Sequence, residues 1–340
     1  MRKKKVIMSR EEKKRLASAD TRPRTTCSWY KYVKIKNPSA FKEYVYENLN
    51  NIDCFGRIYI AEEGINAQMN VPTIYFDRFD AWVQSQLELR GVPYKIAVEE
   101  HDLPSFYKLT VKVRDKIVAD GLDDNSFDVT DKGDYLTPRE MNDYICNPDA
   151  LVIDMRNNYE SEIGYFEGAV RPNVATFRDE LQYIPKKLSI HKNKKIALYC
   201  TGGIRCEKAS AWLKHNGFKD VRHLKGGIID YAQAVKCGEV ENKFKGKNFV
   251  FDERLCERIS SDIVSTCHLC KKTKCDSHHH CRNQICHALF IGCNGCVSTR
   301  NGYCSSWCSF TDKAPRPLKK FFARYYNAWQ RRKPFKKIRV

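Results

Sequence analysis

No apolar run in the 340 residues approaches the roughly 18 that a membrane-spanning helix needs, so no membrane partner is expected. Nor does the chain open like a secretory leader. The basic start, Arg2 to Lys5, runs into "EEKKRL" where a leader would carry its apolar stretch, and a cytoplasmic location is expected. There is no flavin fingerprint, no His-Glu-x-x-His and no evident two-His-one-carboxylate set, so no organic cofactor is read from the chain. No internal repeat is evident. Acidic residues are in deficit: 41 Asp and Glu stand against 60 Lys and Arg, a formal charge of +19.

Cysteine, by contrast, is plentiful. Disulfides are not expected in a reducing compartment, so the 16 cysteines call for metal binding, catalysis or burial. With 42% hydrophobic and 30% charged residues the composition is that of a soluble protein, and the length suggests two or three domains.

Composition divides the chain into six parts: a basic N-terminal arm (1–26), a first domain (27–118), an Asp-rich linker (119–137), a second domain (138–241), a cysteine-rich segment (242–311) and a basic tail (312–340). In the first, "TCSWYKYVKI" reads as a strand, "NPSAFKEYVYENLNN" as a helix opened by Asn-Pro, and "GRIYIAEEGINAQMNV" as two strands around Glu62 to Asn66. "PTIYFDRFDAWVQSQLELR" reads as a second helix, and "YKIAVEE" with "YKLTVKVRDKIV" as further strands. The order βαββαβ predicts a ferredoxin-like sandwich. In the second domain "PREMNDYIC", "ALVIDMR", a long loop, "KKIALYC", "EKASAWLKHNG" and "VRHLKGGIIDYAQAV" alternate between helix and strand, which predicts an α/β domain with a parallel sheet.

The chemistry concentrates in "KKIALYCTGGIRCEKASAWL", residues 194–213. Cys200 ends a strand, and a helix is expected to begin at about Glu207. Reactive groups in such sheets lie at the carboxyl ends of strands. The amides of Thr201, Gly202, Gly203 and Ile204 can turn toward the sulfur because glycine permits the curvature, and Arg205 adds positive charge. These features predict a thiolate and a nucleophile. Burial of a small apolar side chain is the plainer explanation of a cysteine at a strand end, but it does not explain two glycines and an arginine after it. Cys206 reads as core rather than as a resolving thiol. Cys200 and Arg205 enclose four residues, one fewer than the roughly five with which cysteine phosphatases surround a phosphate, and phosphatase chemistry is disfavoured. Asp154 and Arg156, at a strand end, are expected to brace the loop by hydrogen bonding rather than to react.

Nine cysteines (267, 270, 275, 281, 286, 293, 296, 304 and 308) crowd the C-terminal part. Cys267-x2-Cys270 and Cys293-x2-Cys296 have the spacing with which two knuckles grip one tetrahedral zinc ion. Cys275, Cys281, Cys286, Cys304 and Cys308 are candidates for a second site with its pairing open. Structural zinc is preferred over an iron–sulfur cluster, because a short segment with little apolar content needs metal to fold. From Lys313 to Val340 the tail carries eleven Lys or Arg and no acid, interleaved with aromatics, a composition that suits RNA or simply a solvated tail.

"DMRNNYESEIGYFEGA", "YCTGGIRCEKAS" and "LKGGIIDY" fall in the order of rhodanese motifs, and about residues 27–311, including "AEEGINA" and "FDER", resemble the rhodanese-type tRNA uridine(34) hydroxylases. Where rhodaneses often read Gly-His-Ile, Gly164 is followed here by Tyr165 and Phe166. The resemblance implies a monooxygenase-type oxidoreductase that converts wobble uridine to 5-hydroxyuridine with molecular oxygen as co-substrate, with the tRNA anticodon stem-loop as partner and Cys200 as nucleophile. As thiolate or persulfide it would add to C6 of uracil, with Arg205 or the loop amides stabilising the O4 anion. Persulfide sulfur transfer and non-catalytic RNA binding on a rhodanese scaffold remain the alternatives.

Overall fold

The computed structural model describes residues 8–99, 104–123, 126–315, 317–319 and 321–323; most of the basic aromatic tail lies outside them. Within the stretch read as an arm, α1 (Arg10–Ala19) is capped by Ser9, whose hydroxyl accepts the Glu12 amide. The first domain then runs β1 (Arg24–Tyr32), α2 (Pro38–Asn50), β2 (Phe55–Ala61), β3 (Gly64–Pro72), α3 (Phe76–Ser85), β4 (Lys95–Ile96) and β5 (Leu109–Val113). Asn37 caps α2 from the Asn-Pro pair, and α3 ends at Ser85, short of the expected Arg90. The strand order β4-β1-β3-β2-β5 is the ferredoxin-like order with β5 added parallel to β2. Alternation along β1 buries Cys27 and Trp29 against Val45 and Leu49 of α2 and Phe79 and Val83 of α3. The other face of this sheet turns toward the second domain.

The second domain comprises β6 (Asp134–Leu136), α4 (Pro138–Cys146), β7 (Ala150–Asp154), α5 (Asn158–Ser161), β8 (Gly164–Phe166), α6 (Phe177–Lys187), β9 (Lys195–Tyr199), α7 (Ile204–His215), β10 (Asp220–Leu224) and α8 (Gly227–Lys236). Its parallel sheet has the order β6-β10-β9-β7. Two segments differ from expectation. The stretch read as a linker supplies β6, and Leu122 and Phe127 lie in the core beside Leu181 and Leu213. The stretch read as a long loop contains α6, capped by Thr176 and acidic in its first turn; Pro185 in its last turn hides the helical pattern in the sequence.

In the C-terminal segment β11 (Phe244–Phe249) pairs with β8 and with β12 (Cys256–Arg258), tying it to the second domain. It continues through β13 (His278–His280), β14 (Leu289–Ile291), α9 (Asn294–Thr299) and α10 (Ser306–Lys313). No helix among the described residues is long and apolar enough to cross a membrane.

Polar contacts dock the first domain on the second. Lys208 of α7 lies 2.5 Å from Glu63 and 2.6 Å from Asp120. Tyr30 donates to Glu207 at 3.1 Å and Tyr32 to the Ile204 carbonyl at 3.2 Å. From α8, Gln233 donates to the Ile96 and Ala97 carbonyls and Lys236 to that of Val98. The sheet of the first domain is thereby held over the loop that follows β9.

Candidate active site

Cys200 stands at the carboxyl edge of β9, fully buried in the floor of a cavity of about 540 Å³. α7 begins at Ile204, three residues before the expected Glu207, because Gly203 takes the left-handed conformation (φ 97°) and turns the chain straight into the helix. The Gly203 amide donates to Cys200 Sγ at 3.1 Å. Burial pushes the Cys200 thiol up, but a hydrogen bond from the Cys206 thiol, the Arg205 charge and the Cys206 and Arg205 amides outweigh it and hold it at about 5. Cys206 is core, as expected, and is also a donor to the reactive sulfur; burial and the Cys200 charge push its own thiol well up. Beneath the loop the start of α8 passes so close that a Cβ on Gly227 (φ 68°) would lie 2.5 Å from the Cys200 carbonyl oxygen.

Arg205 does not point freely at the sulfur. Its guanidinium makes two hydrogen bonds to Glu160, Nη1 to Oε2 at 2.7 Å and Nη2 to Oε1 at 2.8 Å, with both groups buried. Thr201 joins the pair, its hydroxyl 3.3 Å from Glu160. Glu160 went unremarked in the sequence, although "NNYE" is a capping box in which its carboxylate also accepts the Asn157 amide. Asp154 and Arg156 form a second buried pair, at 2.7 and 2.8 Å. It grips the strand rather than the loop: Tyr199, the residue before Cys200, donates to Asp154 at 2.8 Å, and Arg156 donates to the Gly164 carbonyl at 2.6 Å.

The roof of the cavity comes from the first domain and was not legible as part of the site. Lys95, only 4% exposed, lies with its ammonium 4.7 Å from the centre of the Tyr30 ring and its Cδ 3.6 Å from where a Gly202 side chain would begin. It has no carboxylate or carbonyl partner among the described residues, and burial lowers its pKa. Arg57, Tyr59, Asn66 and Gln68 line the same space, and Phe251, Asp252 and Arg254 of "FDER" close its far side. Asp252 and Arg254 pair with each other at 2.6 Å.

The C-terminal cysteines form two quartets: Cys267, Cys270, Cys293 and Cys296, and Cys281, Cys286, Cys304 and Cys308, with the four sulfurs of each within 4.8 Å of one another. The first is the pair of knuckles expected from spacing. The second resolves the open pairing and leaves Cys275 in neither set. In the second quartet Cys304 Sγ is 3.7 Å from Cys286 Sγ and 3.5 Å from Cys308 Sγ.

Three family models tile the chain: the UPF0176 acylphosphatase-like domain matches residues 24–117, the rhodanese-like domain 137–234 and the rhodanese C-terminal model 245–309. The tRNA uridine(34) hydroxylase of Photorhabdus laumondii is 47% identical over 88% of this chain and 85% of its own. That of Salmonella typhimurium is 48% identical over 88% and 86%. The chain belongs to the tRNA uridine(34) hydroxylase family. Among solved structures, the rhodanese-like domain of an Anabaena protein is 19% identical, with a TM-score of 0.27 over 33% of this chain and 78% of its own. A rhodanese-like protein of Staphylococcus aureus is 24% identical, with a TM-score of 0.24 over 29% and 90%.

Proposed function

We propose that the protein is a cytoplasmic oxidoreductase that hydroxylates the wobble uridine of tRNA at C5, with Cys200 as its nucleophile. The observation that carries this reading is a thiolate at the floor of a cavity of about 540 Å³, with ample room for a base, in a chain of this family. The anticodon stem-loop presents the uridine unpaired, and a base turned out of its stack can enter a cavity closed by three segments. The Cys200 thiolate adds to the electron-poor C6 of uracil, and the electron pair moves onto C5 and O4. Dioxygen takes up that pair at C5 and a proton completes a hydroperoxide. Two low-molecular-weight thiols then supply two electrons and two protons as they join in a disulfide, cleaving the O–O bond and releasing one oxygen as water. Loss of the C5 proton and of sulfur from C6 restores the ring as 5-hydroxyuridine.

In this reading the supporting roles differ from those expected from sequence. Arg205 is held by Glu160 and the loop amides face sulfur, so both stabilise the thiolate. The O4 anion falls to Lys95, the buried cation of the roof. Zinc suits both cysteine quartets: the four sulfurs of each lie within 4.8 Å of one another, close enough for one ion, and in the second quartet separations of 3.5 and 3.7 Å match the edges of a tetrahedron, whereas the thiolates of an iron–sulfur cluster stand farther apart. Zinc there would serve folding, as the quartets are not part of the Cys200 cavity lining.

The test is nucleoside mass spectrometry of tRNA from cells lacking the protein and complemented with wild type or Cys200→Ser. The expected result is 5-hydroxyuridine at the wobble position with wild type and none with the variant. Modification restored by Cys200→Ser, or absent with wild type, overturns the reading.

A further inference from the structure

Arg57, on β2, lines two cavities at once. One is the Cys200 cavity; the other, of about 330 Å³, adjoins it and shares Phe106, Phe251 and Asp252 as common wall. The residue is half-buried, and its guanidinium has no carboxylate or carbonyl partner among the described residues. Every other arginine drawn inward near the site has one: Arg24 pairs with Asp20, Arg156 with Asp154, Arg205 with Glu160 and Arg254 with Asp252. A partly desolvated guanidinium left without an anion is unfavourable, and its planar fork of donors matches a phosphate or carboxylate.

The second cavity, of about 330 Å³, has room for such an anion beside Arg57. Lys108 stands on the same wall. His280 and His287 stack face to face there, with ring centres 4.6 Å apart and planes inclined by 9°. The two acidic residues on the wall are engaged elsewhere, Asp252 with Arg254 and Glu253 with Lys14. Both acids thus have a cationic partner other than Arg57. Resting on the functional reading above, we infer that this cavity takes a phosphodiester flanking the base held over Cys200, with Arg57 as its two-pronged anchor. The first domain then fixes the register of the RNA as well as roofing the cavity, since phosphate contacts position a nucleic acid without reading its sequence.

The experiment uses a synthetic anticodon stem-loop in which the phosphate on the 5′ or the 3′ side of the target uridine is replaced by neutral methylphosphonate, with wild type, Arg57→Gln and Arg57→Lys. For wild type, neutralising one of the two phosphates raises KM by roughly ten- to hundredfold, the range of a charge-assisted contact. Arg57→Gln raises KM for the native stem-loop by a similar factor, and the same neutral linkage then has little further effect. Arg57→Lys retains part of the affinity, and the rate of Cys200 alkylation in all three shows that the site is intact. Losses that multiply, or an Arg57→Gln variant with the KM of wild type, overturn the subsite while leaving the hydroxylase reading untouched. Wild-type protein that leaves the native stem-loop unmodified overturns that reading, and the subsite with it.

Discussion

Glu160 holds Arg205 by both prongs of its guanidinium, at 2.7 and 2.8 Å, in a setting from which solvent is excluded. The same carboxylate accepts the Asn157 amide that opens α5, so one side chain joins the segment after β7 to the helix after the reactive cysteine. Replacing Glu160 by Gln leaves a buried guanidinium without a counterion. Loss of one partner of a buried pair typically costs about 3–5 kcal/mol, and a loss of that size is expected in urea denaturation of Glu160→Gln. A loss below about 1 kcal/mol would show that the pair is solvated in solution and not structural.

The Cys200 thiol, held at about 5 against an ordinary 9.0, sets an acid limit on reactivity. The thiolate exists above that value and is lost as pH falls through it, so iodoacetamide should alkylate Cys200 at a constant rate at neutral pH and ever more slowly below about 5. Because the folded value lies below that of an unfolded thiol, ionisation also stabilises the fold; this contribution is complete above 9.0 and gone below about 5. Cys206→Ala removes one donor to the sulfur, and the midpoint of the alkylation profile should move upward. An unmoved midpoint would mean that Arg205 and the amides alone suffice.

Lys95 gives a kinetic prediction. If its ammonium meets the anion on O4, Lys95→Gln should lower kcat by about 10²–10³, the usual loss for one preorganised electrostatic donor, with a smaller change in KM for the stem-loop. Lys95→Arg should recover part of kcat. A variant that loses affinity and keeps turnover would reassign Lys95 to RNA binding.

Sequence disclosed what lies close along the chain and missed what folding brings together. The Cys200 loop is contiguous, and the glycines that let it turn are visible as letters, so its thiolate character could be read before any fold was known. The two Cys-x2-Cys knuckles are likewise local. Glu160 meets Arg205 across 45 residues and Lys95 reaches the cavity from another domain, and neither separation has a periodic signature. Asp154 and Arg156 were legible as a brace, but their grip on Tyr199 depends on the pairing of β7 with β9. α6 went unseen because Pro185 interrupts the pattern by which it would be recognised, while Leu181 and Ile184 pack it into the core all the same.

The cysteine quartets divide the C-terminal segment into a part that needs metal and a part that does not. β11 is hydrogen-bonded to β8 and β12, which lends it the stability of the second domain, whereas β13, β14, α9 and α10 pack mainly around Cys281, Cys286, Cys308 and a few aromatics. If each quartet holds one zinc ion, metal analysis should find two per chain, falling to one in Cys304→Ser or Cys270→Ser and staying at two in Cys275→Ser, whose sulfur lies in neither set. Stripping metal with a strong chelator should expose the amides of about residues 265–311 to hydrogen exchange while those of β9, β10 and β11 stay protected, because the thiolates once freed of metal repel one another and the segment has little apolar core to fall back on. Iron and sulfide in the place of zinc, or an exchange pattern unchanged by the chelator, would remove metal from the account of how this segment folds.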